Sequence, residues 1–398
     1  MKIREVRRLI MNKEKEIIEV INRHMPKGSS QLNNLFESDS EIIAFHGKKL
    51  LYNIDEFSEE DLLRENDPYM LGWNMALGSI SDILASGGRP KFYAHSMVIR
   101  DSWTMDYVEK LSLGIAQVLK DSGAVFIGGD FGISKTWRYT GSVIGDLESQ
   151  AMLRSGAKAG DNIYITGRIG KGNLEAALKL YEKNVLVENL TGRWKNFFRL
   201  RSKEAEVIKR YSRCCIDTSD GVFNALGTIS EMSRTGFVVG RLPYIKSGLL
   251  MAKILNLPKE MLFLGECGEY ELLFTLNKEL EQEFLETAHE QKLTFYKLGE
   301  VTEQGIKSLW ARDREIDLRT YALRARDYAD PKDYLREVVD FLLGTSASNL
   351  SRWETAYIET KSCYHRDRTS YSYRNWQKGF LSRHFWTENL SSRDPEEL

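Results

Sequence analysis

Two consecutive blocks of alternating strand and helix patterns, residues 31–153 and 154–328, limit this 398-residue chain to a two-domain αβ architecture. The seam is SGAKAGD (155–161), a run of small residues suited to a connector. In the first block, EIIAFHGKKLLYNIDE (41–56) predicts a hairpin, because two apolar runs flank Gly47-Lys48. Residues 69–87 read as a helix, 92–99 as a strand, and 103–121 as a helix with Met105, Val108, Leu111 and Ile115 on its apolar face. GAVFIGGD (123–130) reads as a short buried strand running into a Gly-Gly turn, and YTGSVIGDL (139–147) as a further strand. In the second block, NIYITGRIG is a strand and glycine turn, GNLEAALKLYEK a helix, and RCCIDTSDG a strand ending in a polar turn. FNALGTISEMSRTG is a helix, and YELLFTL and 294–301 are strands.

The two ends differ from these blocks. Residues 1–30 are charged throughout, with Val6, Ile10, Ile17 and Ile21 on one helical face, and they lack the apolar region of a signal peptide. Residues 329–398 begin with a helix that carries Asp330 as N-cap, Pro331 at its first position and Gly344 at its end. The stretch 345–398 is rich in Ser, Arg, Tyr and Trp and too poor in aliphatic residues to build its own core. No function is assigned to it.

Composition narrows the partners. Charged residues make up 28% and the formal net charge is -1, so nothing draws the whole chain to nucleic acid or an anionic membrane. No run of about 18 apolar residues predicts a membrane helix. Cys214, Cys215, Cys267 and Cys363 form no CxxC pair and no zinc spacing, which predicts reduced thiols in the cytoplasm.

The chemistry lies in five aspartates that end strands or sit beside small residues: Asp55, Asp82, Asp130, Asp217 and Asp220. Carboxylates in that setting suit Mg²⁺, a hard ion that takes one or two protein carboxylates together with phosphate oxygens. Gly128 and Gly129 before Asp130 predict a turn whose backbone approaches a phosphate. Gly167, Gly170 and Gly172 could open a helix N-terminus toward an anion. No GxxxxGK[ST] loop is present.

In order, NID, SISDILASGGRP, GAVFIGGD, YTGSVIGDL, LRSGAKAGDNIYITGRIG, CIDTSDGVFNAL and GEYELLFT resemble the thiamine-monophosphate kinase family of the PurM-like superfamily, over roughly residues 35–305. The resemblance implies a two-domain α+β PurM-like fold: an N-terminal αβ domain with a mixed sheet that pairs with its twin in a homodimer, a C-terminal αβ domain, and here a C-terminal extension. It implies Mg²⁺ and ATP as cofactors and a small-molecule acceptor. Asp55, Asp82, Asp130, Asp217 and Asp220 become Mg²⁺ ligands, with Asp130 and Asp220 central to catalysis. Asp39 stands in for one aspartate of the family's GDDAAV segment, and Ser219 and Arg154 become ATP contacts. Glu269 and Glu59 fall where the family touches its acceptor. The reaction implied is transfer of the ATP γ-phosphoryl group to thiamine monophosphate.

The acceptor side departs most from the family pattern. GDDAAV reads ESDSEI, Ser58–Leu63 replaces VEGVHF, Phe131 follows GGD, and Gly268-Glu269 stands for two acidic residues. Two alternatives therefore stay open: a related ATP-dependent enzyme with another small acceptor, and a nucleotide-binding relative without turnover.

Overall fold

The computed structural model describes residues 14–26, 28–59, 67–180, 198–311, 314–328 and 330–344. Val6 and Ile10 of the leading helix, residues 60–63 of the acidic stretch and the tail 345–398 lie outside them. The described N-terminal part holds α1 (Glu14–His24), β1 (Glu41–Phe45), β2 (Lys48–Ser58), α2 (Pro68–Ala85), β3 (Arg89–Arg100), α3 (Met105–Ser122), β4 (Val125–Ser134) and β5 (Arg138–Leu147). Its sheet has the order β1-β2-β5-β3-β4 and is mixed, with β3 and β4 parallel and the other neighbours antiparallel.

Local chemistry explains these elements. His46 and Gly47 both take positive φ, which closes a two-residue hairpin loop with the twist that β1 and β2 need. Asp67 caps α2 by accepting from the Met70 N–H, with Pro68 in the first turn. That helix is buried on nearly every side, and its small residues permit close approach. A Cβ on Gly72 would collide with the Leu111 carbonyl, and one on Gly114 with the Tyr69 carbonyl, so α2 and α3 cross backbone to backbone. Thr104 caps α3, and Gly123 ends it in the left-handed conformation.

One expectation changes here. β4 is neither short nor buried, and Gly128-Gly129 is not a turn. The strand runs unbroken from Val125 to Ser134 along the open edge of the sheet. Gly128, at φ 128°, sits at a bulge, while Gly129 is required because a Cβ there would strike the His95 carbonyl. An apolar stretch reads as interior in sequence, but Val125, Ile127, Phe131 and Ile133 are each more than half exposed.

The second sheet draws on β6 (Asn162–Ile165), β7 (Cys215–Asp217), β8 (Gly236–Val239), β9 (Leu272–Leu276), β10 (Tyr296–Thr302), β11 (Lys307–Ala311) and β12 (Arg314–Asp317). Their order is β12-β11-β8-β10-β6-β9-β7. The helices around it are α4 (Lys171–Leu180), α5 (Ser202–Tyr211), α6 (Val222–Ser233), α7 (Lys246–Ile254), α8 (Met261–Leu264), α9 (Glu281–Glu290) and α10 (Pro331–Leu343). Both faces are covered: Tyr164, Phe274, Phe284 and Ile208 join a core continuous with α2 and the first sheet. Ile163, Ile165, Leu226 and Phe263 belong to a second core, which also takes Tyr334 and Val338 of α10. α10 carries the Asp330 cap and the Gly344 end expected of it.

Candidate active site

The shared core brings the end of β7 against α2, and the acidic residues gather at that junction. One carboxylate oxygen each from Asp39, Asp82 and Asp217 lies within 4.8 Å of the others. Asp82 comes from the last turn of α2 and Asp217 from the end of β7. Asp39 sits between two serines clamped to the end of α2: Ser40 N–H donates to Ser86 Oγ at 3.0 Å, and Ser38 Oγ pairs with it at 3.1 Å. Asp39 Oδ2 then accepts the Asp217 N–H at 3.1 Å. Asp55, in β2, accepts from Asn53 Nδ2 at 2.9 Å and hydrogen-bonds the Asp82 carboxyl. Asp220 lies exposed in the turn after Asp217, near enough for its charge to act on Asp55.

Like charges in a buried place disfavour ionisation. Burial, with the neighbouring Asp39 charge, pushes Asp217 up to about 7. Burial likewise raises Asp39 and Asp55, and it holds Asp82 well above the usual carboxylate range, with Asp55, Asp217 and Asp39 adding to it. Asp217 Oδ1 is held by the Ser219 N–H at 3.2 Å and hydroxyl at 2.8 Å, while its buried Oδ2 completes no hydrogen bond. A buried carboxylate oxygen left over inside an all-oxygen donor set fits a hard divalent cation.

Arg154 follows the short pairing of Leu153 with Cys214, and its Nε meets Asp39 Oδ1 at 2.5 Å. The pair sets its guanidinium against the acidic cluster, with 25% of the side chain exposed.

Asp130 is not brought in. The register aligns Asp55 with Gly141, His95 and Gly129, on the face that packs against α2. Asp130 aligns instead with Ser96, Thr140 and Glu56 on the opposite, open face, three strand spacings or about 14 Å away. Within one chain Asp130 therefore cannot share an ion with Asp55, and Gly128 and Gly129 stay at the same edge. Glu59 is also remote from the cluster, paired with Arg100.

Glu269 lies beside the aspartate turn, donating its N–H to the Thr218 carbonyl at 3.1 Å. Its Oε1 accepts the Gly170 N–H at 2.5 Å at the start of α4, and burial pushes its carboxyl up to about 8. The helix N-terminus that the glycines were expected to offer to an outside anion thus takes an internal carboxyl. Gly268 has a separate cause: a Cβ there would collide with the Ser219 carbonyl.

Sequence reasoning missed the residues behind this turn. Arg201 grips Glu271 with two bonds of 2.7 Å and Glu204 with a third of 2.7 Å. Glu271 also takes the Thr166 hydroxyl at 2.5 Å and donates its N–H to Thr218 Oγ1 at 3.0 Å. The signals were thin: Glu271 reads as a strand residue, Ser86 as part of the helix 69–87, and Ser38 and Ser40 only as departures from GDDAAV.

Family comparison agrees with this architecture. Residues 37–147 match the N-terminal domain of AIR synthase related protein and 158–311 its C-terminal domain. A thiamine-monophosphate kinase of Archaeoglobus fulgidus is 26% identical over 268 residues, 66% of this chain and 85% of that one. The corresponding Buchnera aphidicola (Acyrthosiphon pisum) protein is 30% identical over 226 residues, 54% of this chain and 68% of that one. Among solved structures, AaThiL, complexed with AMPPCP and TMP, superposes with a TM-score of 0.62 at 23% identity, covering 76% of this chain and 96% of that one. The thiamine monophosphate kinase of Aquifex aeolicus gives 0.58 at 24% identity over 75% and 97% of the two chains. Two domain matches in the right order and kinase relatives along most of their length lead to one conclusion: the chain belongs to the AIR synthase-related family and, within it, to the thiamine-monophosphate kinases.

Proposed function

We propose that this protein transfers the γ-phosphoryl group of ATP to thiamine monophosphate, yielding thiamine diphosphate and ADP. The observation that carries the reading is the convergence of Asp39, Asp82 and Asp217 from three separate segments, with Asp55 beside them. The relatives named for this activity support the donor and the acceptor. Asp39, Asp82 and Asp217 would hold Mg²⁺, with Asp55 and Asp220 at the rim. When bound, the ion offsets phosphate charge and stabilises the group in transfer. Ser219 fixes Asp217 through Oδ1, leaving Oδ2 to the donor set. Arg154 supplies the cationic fork for phosphate oxygens. Positioning and electrostatics then carry the catalysis, with no covalent enzyme intermediate.

Purified protein with Mg·ATP and thiamine monophosphate is expected to form the diphosphate, and Asp220→Asn to reduce kcat by about 10²-fold or more. Product at undiminished rate in the variant would remove Asp220 from the site. A second reading, another small acceptor, is favoured by the two acceptor-side carboxylates being engaged internally, Glu59 by Arg100 and Glu269 by Gly170. ATP consumption with a different phosphomonoester or vitamin alone would select it. ATP binding without turnover across that panel would instead indicate an inactive relative.

We also place the protein in the cytoplasm as a homodimer. Among the described residues no helix is long and apolar enough to cross a membrane, and Cys214 and Cys215 are free and buried. An exposed edge strand with large apolar side chains is a pairing surface unless something covers it. Pairing of β4 with its twin would cover Ile127, Phe131 and Ile133 and bring Asp130 to the subunit junction, the one setting in which it keeps a role in the site. Ile127→Lys with Ile133→Lys is expected to convert a dimer to monomer in sedimentation runs, since charge on an edge opposes pairing. An unchanged sedimentation coefficient would discard this edge as the interface.

A further inference from the structure

We infer that Arg154 is an exchangeable internal counter-ion, which holds Asp39 while the acidic cluster lacks a cation and is released from it when metal and nucleotide arrive together. The inference rests on the Mg·ATP reading of this site and adds a coupling between the two ligands.

The two partners in the ion pair are unequal. The Asp39 side chain is 0% exposed, and its other oxygen is tied to the Asp217 N–H. Ser38 and Ser40 anchor it on both sides to Ser86. Asp39 therefore has nowhere to go. The Arg154 side chain is 25% exposed, so solvent reaches it from one side. Its backbone is fixed, with its N–H on the Glu37 carbonyl at 2.8 Å and Leu153 bonded to Arg213 and Cys215. Only the guanidinium is placed to move.

Its charge does two things where it stands. It offsets part of the repulsion among Asp39, Asp82 and Asp217, which stabilises the cluster without metal. It also occupies Asp39 Oδ1, an oxygen a cation would use, and adds a like charge beside that cation. Metal alone must therefore displace the arginine with nothing to receive it. Phosphate oxygens change this balance, because a guanidinium binds them through the same planar fork it offers a carboxylate. Metal loading and nucleotide binding then favour each other, and the coupling is reciprocal.

The test uses the full chain, Mn²⁺ as the probe, free Mn²⁺ counted by electron paramagnetic resonance, and AMPPCP as the nucleotide. The unsubstituted protein is expected to bind Mn²⁺ roughly tenfold or more tightly when AMPPCP is present. In Arg154→Gln, Mn²⁺ alone should bind roughly tenfold more tightly than in the parent, and the gain from AMPPCP should be smaller than the parent's. A folded Arg154→Gln protein whose affinity for Mn²⁺ alone is unchanged or weaker overturns the exchange. Should that variant fail to fold, a crystal structure of the unsubstituted protein with Mn²⁺ and AMPPCP decides. Arg154 turned from Asp39 onto the nucleotide supports the proposal, and an intact Arg154–Asp39 pair beside bound metal overturns it. If the unsubstituted protein takes up no Mn²⁺ even with AMPPCP, the site reading itself fails, an outcome distinct from normal loading without coupling.

Discussion

Asp82→Asn is expected to melt at a higher temperature than the parent without metal, while losing about 10²- to 10³-fold in kcat. The opposite signs share one cause. Asp82 is buried against Asp55, Asp217 and Asp39, with Arg154 as the opposing charge. Asparagine keeps the shape and removes the repulsion, a gain of about 1 kcal/mol, or roughly 2 °C in a chain of this size. The same change removes a metal ligand, which accounts for the lost rate.

The pH dependence follows from the same charges. Asp217 has its folded pKa raised to about 7 from an ordinary 3.8. Its contribution to stability is complete below the ordinary value and is lost as pH rises through about 7. The metal-free parent should thus melt lower at pH 8 than at pH 5, with a shallower decline in Asp82→Asn. Mg²⁺ at pH 8 should restore the parent more than the variant, because a ligand stabilises only the state that binds it. Melting curves at both pH values, with and without Mg²⁺, measure all three effects. A variant that melts lower than the metal-free parent and turns over normally would refute the account.

Arg201→Met should cost about 3–5 kcal/mol in urea unfolding. Arg201 and Glu271 are both buried, and removing one partner leaves a charge without its counter-ion in the interior. The pair also borders the site, because the Glu271 backbone N–H donates to Thr218 Oγ1, two residues before Asp220. Replacing both members, Arg201→Met with Glu271→Met, should recover the part of the stability that belongs to the Glu271 charge, while Glu204 still lacks its Arg201 partner. A single variant within 1 kcal/mol of the parent would mean that solvent or a neighbouring group compensates the charge.

Much of the fold was legible because its signals are local. The hairpin, read at Gly47-Lys48 and found one residue earlier, the Asp330 cap and the strand-ending Asp217 each depend on residues within a few positions of one another. The placement of Asp39 was legible in a different way. The family pattern pointed to it, whereas the clamp that holds it joins residues 48 and 46 positions apart.

What the residue order determined by itself was the set of elements, their succession in two blocks, and the acidic groups available at their ends. What only the tertiary structure decided was which of those groups meet. Asp130 carries the same local signal as Asp217, a short polar side chain beside glycine or at a strand end. Pleat parity and strand register put it on the opposite face from Asp55, at an edge whose apolar side chains read as interior until the neighbouring strands are known. Glu269 reads as a free acidic residue until the fold sets it on the first turn of α4. The physical reason is the same in both cases. Element type follows from dihedral preferences and short-period hydrophobicity, which neighbours set, whereas a site depends on the pairing of distant segments and on what each residue is buried against.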